Sequence, residues 1–262
     1  MIETENASFA YPDSPPLFRN VSFHVDDSQI LAVMGANGIG KTTLIKCIMG
    51  FLRLQTGRIF IGQKKIERAA MDDKTFWDTV AYVPQAKKSI FGYQVKEMVV
   101  LGRNASVSFG RVPSKRDYEY VDAVLERFGI ADLREQSCNR LSGGQLQMVL
   151  IARALVKNPE VLILDEPESN LDLRNQMRVL SIIEKLSHED GRAVILNTHF
   201  PTNALKISDT SLLLRNNSYL FGRSQDIITE ENIREFFKIA CSIVSVPVGD
   251  KVVKGIIPLD FI

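Results

Sequence analysis

Residues 30–50 read ILAVMGANGIGKTTLIKCIMG. Five apolar residues in a row, Ile30 to Met34, suggest a strand buried on both faces, since a half-buried strand would alternate. TTLIKCIMG reads as a helix ending at Gly50. Between them GANGIGKT, residues 35–42, fits the pattern G-x-x-x-x-G-K-[ST], after a strand and at the opening of a helix, as that pattern requires. Phosphate oxygens need donors at close range, and side chains would hold the backbone away. Gly35, Gly38 and Gly40 remove that obstacle, so the amides of the loop, including those of Asn37 and Thr43, can curl around a phosphate. Lys41 would then reach the β- and γ-phosphates as a mobile point charge, and the Thr42 hydroxyl would ligate Mg2+. A glycine turn beside a lysine is the plainer reading; the strand before it and the helix after it weigh against that.

Further along, VLILDE (161–166) is an apolar strand ending in two acids. It delivers Asp165 to the carboxyl edge of a sheet, where open α/β folds bind ligands. The Asp165 carboxylate would hold Mg2+ through water, and Glu166, one step further out, would orient or deprotonate an attacking water. Strands that simply end in solvated acids are common, and it is the glycine loop upstream that favours the chemical reading. A second apolar strand, AVILN (193–197), is followed by Thr198-His199. His199 at a strand end can bond a γ-phosphate or steady the Glu166 water, or be purely structural. Gln85, in YVPQ, can ligate Mg2+ through its carbonyl or be polar surface. Tyr11 can stack on an adenine or simply pack.

LSGGQ (141–145) precedes the apolar run LQMVLIARAL. Glycine pairs cost backbone entropy in a helix, so their presence asks for a reason. Ser142 has the character of an N-cap, and Gly143 and Gly144 leave the next amides open, Gln145 following. The helix then aims its positive end at an anion. This is a second anion-facing loop in a chain that already has one.

The remaining patterns give the frame. VSFHV (21–25) alternates as a half-buried strand, and TGRIFIGQKKI (56–66) reads as a hairpin broken by Gly57 and Gly62. From about residue 88 to 155 helical patterns dominate. In SKRDYEYVDAVLERFGI, Ser114 and Asp117 have capping-box spacing, and Val121, Val124, Leu125 and Phe128 fall on one face. A helix lies between the two apolar strands, and SLLLRNNSYLFG turns at Asn216-Asn217. Apolar strands alternating with helices imply an α/β fold with a mostly parallel sheet and helices on its faces. The tail from 241 to 262 reads as short strands.

Composition narrows the classes. The chain has 262 residues, enough for one domain with an inserted subdomain. Its net charge of +1 gives no case for nucleic-acid binding driven by global charge. No apolar run reaches the roughly eighteen residues of a membrane span. MIETENASFAYPD has no basic region followed by an apolar core, so no signal peptide is expected. Cys47, Cys138 and Cys241 are scattered and odd in number, which suggests buried, reduced thiols.

Taken together and in order, these residues resemble the ATP-binding subunit of an ATP-binding-cassette (ABC) transporter over about residues 1–225. GANGIGKTT looks like the Walker A loop, VLILDE like Walker B with its catalytic Glu, LSGGQ like the signature, and SNLD (169–172) like the D-loop. Tyr11 matches the aromatic A-loop, Gln85 the Q-loop and His199 the switch histidine. The resemblance implies a P-loop NTPase core with an N-terminal antiparallel β-subdomain in 1–87 and 156–240, a helical subdomain at 88–155, and ATP with Mg2+ as cofactors. It implies two subunits, a homodimer in the simplest case, packed head to tail so that Ser142, Gly143, Gly144 and Gln145 of one complete the ATP site of the other. Further implied partners are integral-membrane permease subunits and, indirectly, a substrate-binding protein. The implied location is peripheral, on the cytoplasmic face of the inner membrane, with no nucleic-acid partner.

VVLGR (99–103) and VPSKRD (112–117) resemble ATPases that import metal chelates such as iron-siderophores, haem or cobalamin. Met148, Glu168 and Phe200 depart from the family pattern, at positions where a basic residue, a Thr and an acid are usual. Rival classes fit less well. A soluble DNA-repair cassette would be split by a coiled coil, and no heptads are seen. A translation-associated protein would carry two cassettes. A binding module without turnover would have no need of Glu166, and a G protein would carry N-K-x-D.

Overall fold

The computed structural model describes residues 1–86, 92–106, 112–249 and 251–261. The start of the helix-rich stretch, residues 88–91, and residues 107–111 within it lie outside the described residues. The strands are β1 (Ile2–Phe9), β2 (Phe18–Val25), β3 (Ile30–Gly35), β4 (Thr56–Ile61), β5 (Ile66–Glu67), β6 (Val80–Val83), β7 (Val161–Asp165), β8 (Ala193–Asn197), β9 (Thr210–Arg215), β10 (Ser218–Arg223), β11 (Ile239–Val248) and β12 (Lys251–Phe261). The helices are α1 (Lys41–Ile48), α2 (Asp73–Thr79), α3 (Val95–Val100), α4 (Lys115–Arg127), α5 (Gly143–Leu155), α6 (Leu173–His188), α7 (Pro201–Ile207), α8 (Ser224–Ile227) and α9 (Glu230–Phe237).

Continuous apolar runs became the middle of the structure. β3, β8 and β7 lie side by side in a six-stranded sheet of order β10-β9-β3-β8-β7-β6, parallel except for the β9–β10 hairpin. Ile30 to Met34, Val161 to Leu164 and Ala193 to Leu196 are all buried. Each such Ile, Leu or Val contributes roughly 1.5–3 kcal/mol relative to exposure. Both faces of the sheet are covered. On one, Leu162, Leu164, Val194 and Leu196 meet α5 and α6 through Leu146, Val149, Leu180 and Ile183. On the other, Val161, Ile163, Ile195 and Val33 meet α1 and the antiparallel sheet β2-β1-β4-β5. Val21, Phe23 and Val25 point into that second core while His24 is exposed, so the alternation read in VSFHV is real. All three cysteines are buried free thiols, and burial pushes Cys47 up to about 12.

Two parallel neighbours, β6 and β7, are joined by about eighty residues of chain carrying α3, α4 and α5. α4 begins as its sequence requires. Ser114 Oγ accepts from the Asp117 amide at 3.4 Å, and Asp117 Oδ2 accepts from the Ser114 amide at 2.8 Å. Arg103 Nε donates to Asp117 Oδ1 at 2.5 Å, so VVLGR and VPSKRD meet in space. The tail departs from expectation. Instead of short strands, β11 and β12 form one long antiparallel hairpin that is a separate sheet. Its inner face, with Cys241 and Ile256, packs on Ala204, Ile233 and Phe236.

The Ser114 hydroxyl and amide, with Arg103, hold the Asp117 carboxyl down at about 2. A depressed carboxyl contributes stability that is full above its unfolded value, near 4, and is lost as pH falls to about 2. Ser114→Ala is expected to cost about 1 kcal/mol at neutral pH, a Tm loss of roughly 2–4 °C. Melts recorded across pH should show the gap from the parent chain closing between about pH 4 and pH 2.

Candidate active site

The glycine loop leaves the carboxyl end of β3 and feeds α1. At its first residue no side chain fits: Gly35 has φ 145°, and a Cβ there would lie 2.4 Å from the Leu214 carbonyl oxygen on β9. The first amides of α1 have no partner within the helix and face outward with its positive end. Lys41 is buried, and its Nζ donates to the Gly35 and Ala36 carbonyls at 2.8 and 3.0 Å, folding back over its own loop. Burial lowers its pKa, against the pull of Glu166 and Asp165. A cleft of about 170 Å3 opens here, lined by Asn37, Gly38, Gly40, Lys41, Thr42, Thr43, Glu166 and His199. A larger cavity, about 660 Å3 between the end of α1 and β4, holds none of the candidate nucleotide-site residues.

The opposite wall comes from the ends of β7 and β8. Asp165 and Asn197 are register partners, and Asn197 Nδ2 donates to Asp165 Oδ1 at 2.5 Å. Tyr82, on β6, donates its hydroxyl to Asp165 Oδ2 at 3.0 Å. Desolvation and the adjacent Asp165 charge push the Tyr82 phenol up, so it stays a donor. One residue on, Glu166 turns sharply at φ 49°, an uncommon conformation for a non-glycine residue. That turn carries its carboxylate into the cleft. His199 Nε2 and Glu166 Oε1 are hydrogen-bonded to each other. Ser169 Oγ and Gln85 Nε2 donate to Glu166 Oε2 at 3.2 and 3.4 Å. Tyr11, on the far side of the loop, sits with its hydroxyl 3.4 Å from Thr43 Oγ1 and its ring edge-to-face with Phe9.

The fold thus brings together Tyr11, the glycine loop, Gln85, Asp165, Glu166 and His199. Residues 142–145 do not line this cleft. Ser142 caps α5, its Oγ accepting from the Gln145 amide at 3.2 Å while Gln145 Oε1 accepts from the Ser142 amide at 2.9 Å. The Gln145 side chain is therefore committed to the cap. Ser142 and Gly143 are exposed. Gly144 is buried against α6, where a Cβ would lie 2.4 Å from Asn175 Cγ. Sequence reasoning gave no role to Tyr82, Ser169 or Asn197. Asn197 ends a strand as Asp165 does, and that parallel is the one signal that points to it.

The ABC transporter family model matches residues 18–169. The chain belongs to the ABC transporter family. It is one of that family's ATPase subunits, whose ATP hydrolysis drives transport. It is 33% identical over 238 residues to the molybdate import ATP-binding protein MolC of Haemophilus influenzae, covering 91% of this chain and 88% of that one. It is 30% identical over 252 residues to the iron(3+)-hydroxamate import ATP-binding protein FhuC of Bacillus subtilis, covering 95% and 92%. A solved structure described as an inward-facing conformation of a metal-chelate type ABC transporter superposes with a TM-score of 0.88 at 30% identity, covering 99% of this chain and 97% of that one. This ABC chain has no described helix long and apolar enough to cross a membrane.

Gly35 and Gly38 separate two constraints on the loop. Both have positive φ, but a Cβ on Gly38 meets nothing within 4 Å. Gly35→Ala should lower ATP affinity at least tenfold and lower Tm, whereas Gly38→Ala should cost Tm only the strain of its backbone, about 1–2 kcal/mol, and show its further loss in ATP affinity because it lines the cleft. Nucleotide titration beside thermal melts reads both, and equal losses of Tm would mean the Leu214 contact is not the constraint.

Proposed function

We propose that this chain hydrolyses MgATP at an interface between two copies, in which the Ser142–Gln145 segment of each faces the glycine loop of the other. The observation that carries the reading is Glu166. It stands at the cleft opposite Lys41, held by His199, Ser169 and Gln85. The exposure of Ser142 and Gly143, away from the chain's own cleft, supports completion in trans.

Water attacks the γ-phosphorus in line with the leaving ADP oxygen. Glu166 takes the proton, and His199 fixes its carboxylate or the γ-phosphate. Lys41 exchanges its contacts with the Gly35 and Ala36 carbonyls for phosphate oxygens, and with the loop amides stabilises the charge that develops there. Thr42 is exposed at the start of α1, and the Asp165 carboxylate is fixed by Tyr82 and Asn197; with the Gln85 carbonyl they form an all-oxygen donor set. Such a sparse set fits Mg2+, which keeps water and phosphate ligands and needs only one or two protein oxygens. Bound there, the ion would offset the negative charge of the phosphates. Tyr11 stacks on the adenine.

The wider reading is an importer subunit, peripheral on the cytoplasmic face of the membrane, working through a separate permease and indirectly with a substrate-binding protein. The cargo class proposed is a metal chelate. Its support is the similarity to chains named for iron-hydroxamate and metal-chelate transport, together with the Arg103–Asp117 contact that joins the two stretches typical of that group. The similarity to a molybdate importer marks the competing cargo.

Glu166→Gln is expected to lower kcat at least a hundredfold while retaining ATP, and light scattering should show a monomer converting to a dimer on MgATP. Rapid turnover by that variant would reject Glu166 as the base. A stable monomer with bound ATP, persisting when the permease is co-expressed, would reject completion in trans.

A further inference from the structure

Behind Glu166 lies a second acid that the proposed chemistry does not use. Glu168 is fully buried, three residues beyond Asp165. Its Oε1 accepts the Thr198 hydroxyl, and Thr198 is also fully buried. The same hydroxyl oxygen accepts the amide of Phe200 at 3.0 Å. The Thr198 amide in turn donates to the Val33 carbonyl on β3 at 3.2 Å. His199 is therefore bracketed. The residue before it is tied through its amide to the strand that carries the glycine loop, and through its hydroxyl to the segment that carries Glu166. The residue after it hangs from that same hydroxyl.

The other half of the carboxyl is unusual. Glu168 Oε2 is buried, and its one nearby donor, Asn203 Nδ2 on α7, interacts with it without closing a well-formed hydrogen bond. Burial raises the Glu168 pKa, which favours the uncharged acid. A buried acid with an unsatisfied oxygen is costly to keep. A neutral hydroxyl could satisfy Thr198 at lower cost, so the acid asks for a reason.

We propose that Glu168 is a positioning residue of the hydrolytic site: acting through Thr198, it sets the loop that holds His199 against Glu166. The proposal rests on the reading of Glu166 and His199 given above. It assigns Glu168 no contact with nucleotide or water. It requires an acceptor for the Thr198 hydroxyl rather than a negative charge, so glutamine should serve in its place and leucine should not.

The test is steady-state ATP hydrolysis with purified chain, together with nucleotide titration, for Glu168→Leu, Glu168→Gln and Thr198→Val. Glu168→Leu and Thr198→Val should each lower kcat about tenfold, the scale of a small misplacement at a reacting group, with KM within twofold of the parent. The double variant should lose no more than either single one, because both cut one link. Glu168→Gln should stay within about twofold of the parent. The chain has three histidines, so the His199 ring nitrogen signal can be assigned by comparison with His199→Gln. It should move in Glu168→Leu and Thr198→Val and hold in Glu168→Gln. If Glu168→Leu does not fold, the nearly isosteric Thr198→Val decides. Full kcat in Thr198→Val, a loss in Glu168→Gln as large as in Glu168→Leu, losses that multiply in the double variant, or a rise in KM in place of the fall in kcat would each overturn the proposal. A Glu166→Gln chain that still turns over would remove the underlying reading instead, and is measured in the same assay.

Discussion

The site depends on one register. β7 and β8 are parallel neighbours, and Asp165 lies opposite Asn197 at their carboxyl ends. Everything reactive is counted from that pair: Glu166 and Ser169 on one chain segment, Thr198 and His199 on the other. A slip of one residue would turn every side chain of a strand to the opposite face. Here both faces are buried, so the slip would have to exchange Leu162 and Leu164, packed on the helical side, with Val161 and Ile163, packed on the other. The core is thus what holds a carboxylate and an imidazole at bonding distance, and the Asn197–Asp165 hydrogen bond closes the register at the wet end. The amide of Glu166 donating to the Asn197 carbonyl at 2.9 Å extends the pairing one step past the strand, to the residue with positive φ.

The two glycine loops are built differently. The first is part of the sheet's edge: Gly35 still pairs with Leu214, and no side chain fits between the strands there. The second is a helix start on the far side of the connection between β6 and β7, capped by its own residues. Gly144 lets α5 and the start of α6 approach, while Ser142 and Gly143 stay at the surface. A loop that spends one glycine on packing and leaves another exposed has a structural and an outward-facing half, and only the second is available to a partner.

Much of this was legible in the letters. Continuous apolar runs gave the parallel strands, and the change from strand to glycine loop to helix gave one wall of the cleft. Order along the chain also put Asp165 at the end of a strand and Glu166 one step beyond it, as β7 has them. What escaped was support that comes from other strands. Tyr82 sits in YVPQ, one turn of the pleat from Gln85, and nothing local says that its hydroxyl crosses to Asp165. Ser169 was seen as part of SNLD without its bond to Glu166. The tail forms longer strands than its sequence suggests, running through Pro247, Gly255 and Pro258. In a two-stranded sheet every residue is on an edge, where Pro need not donate and Gly is tolerated, so the hairpin runs through them.

The three departures from the family pattern have a common physical account. Met148, on α5, is buried in the core, where a basic residue would need a partner and a flexible thioether needs none. Glu168 is buried beneath the cleft, bonded to Thr198. Phe200 precedes α7, with its amide turned inward to Thr198 Oγ1 and its ring at the edge of a small apolar hollow shared with Pro201, Phe237 and Ile256. None of the three lines the cleft between Lys41 and Glu166. Two of them meet at a single hydroxyl, Glu168 through its carboxyl and Phe200 through its amide. A backbone amide makes that bond whatever the side chain, so of the two it is Glu168 whose identity bears on Thr198 and, through it, on the segment that carries His199.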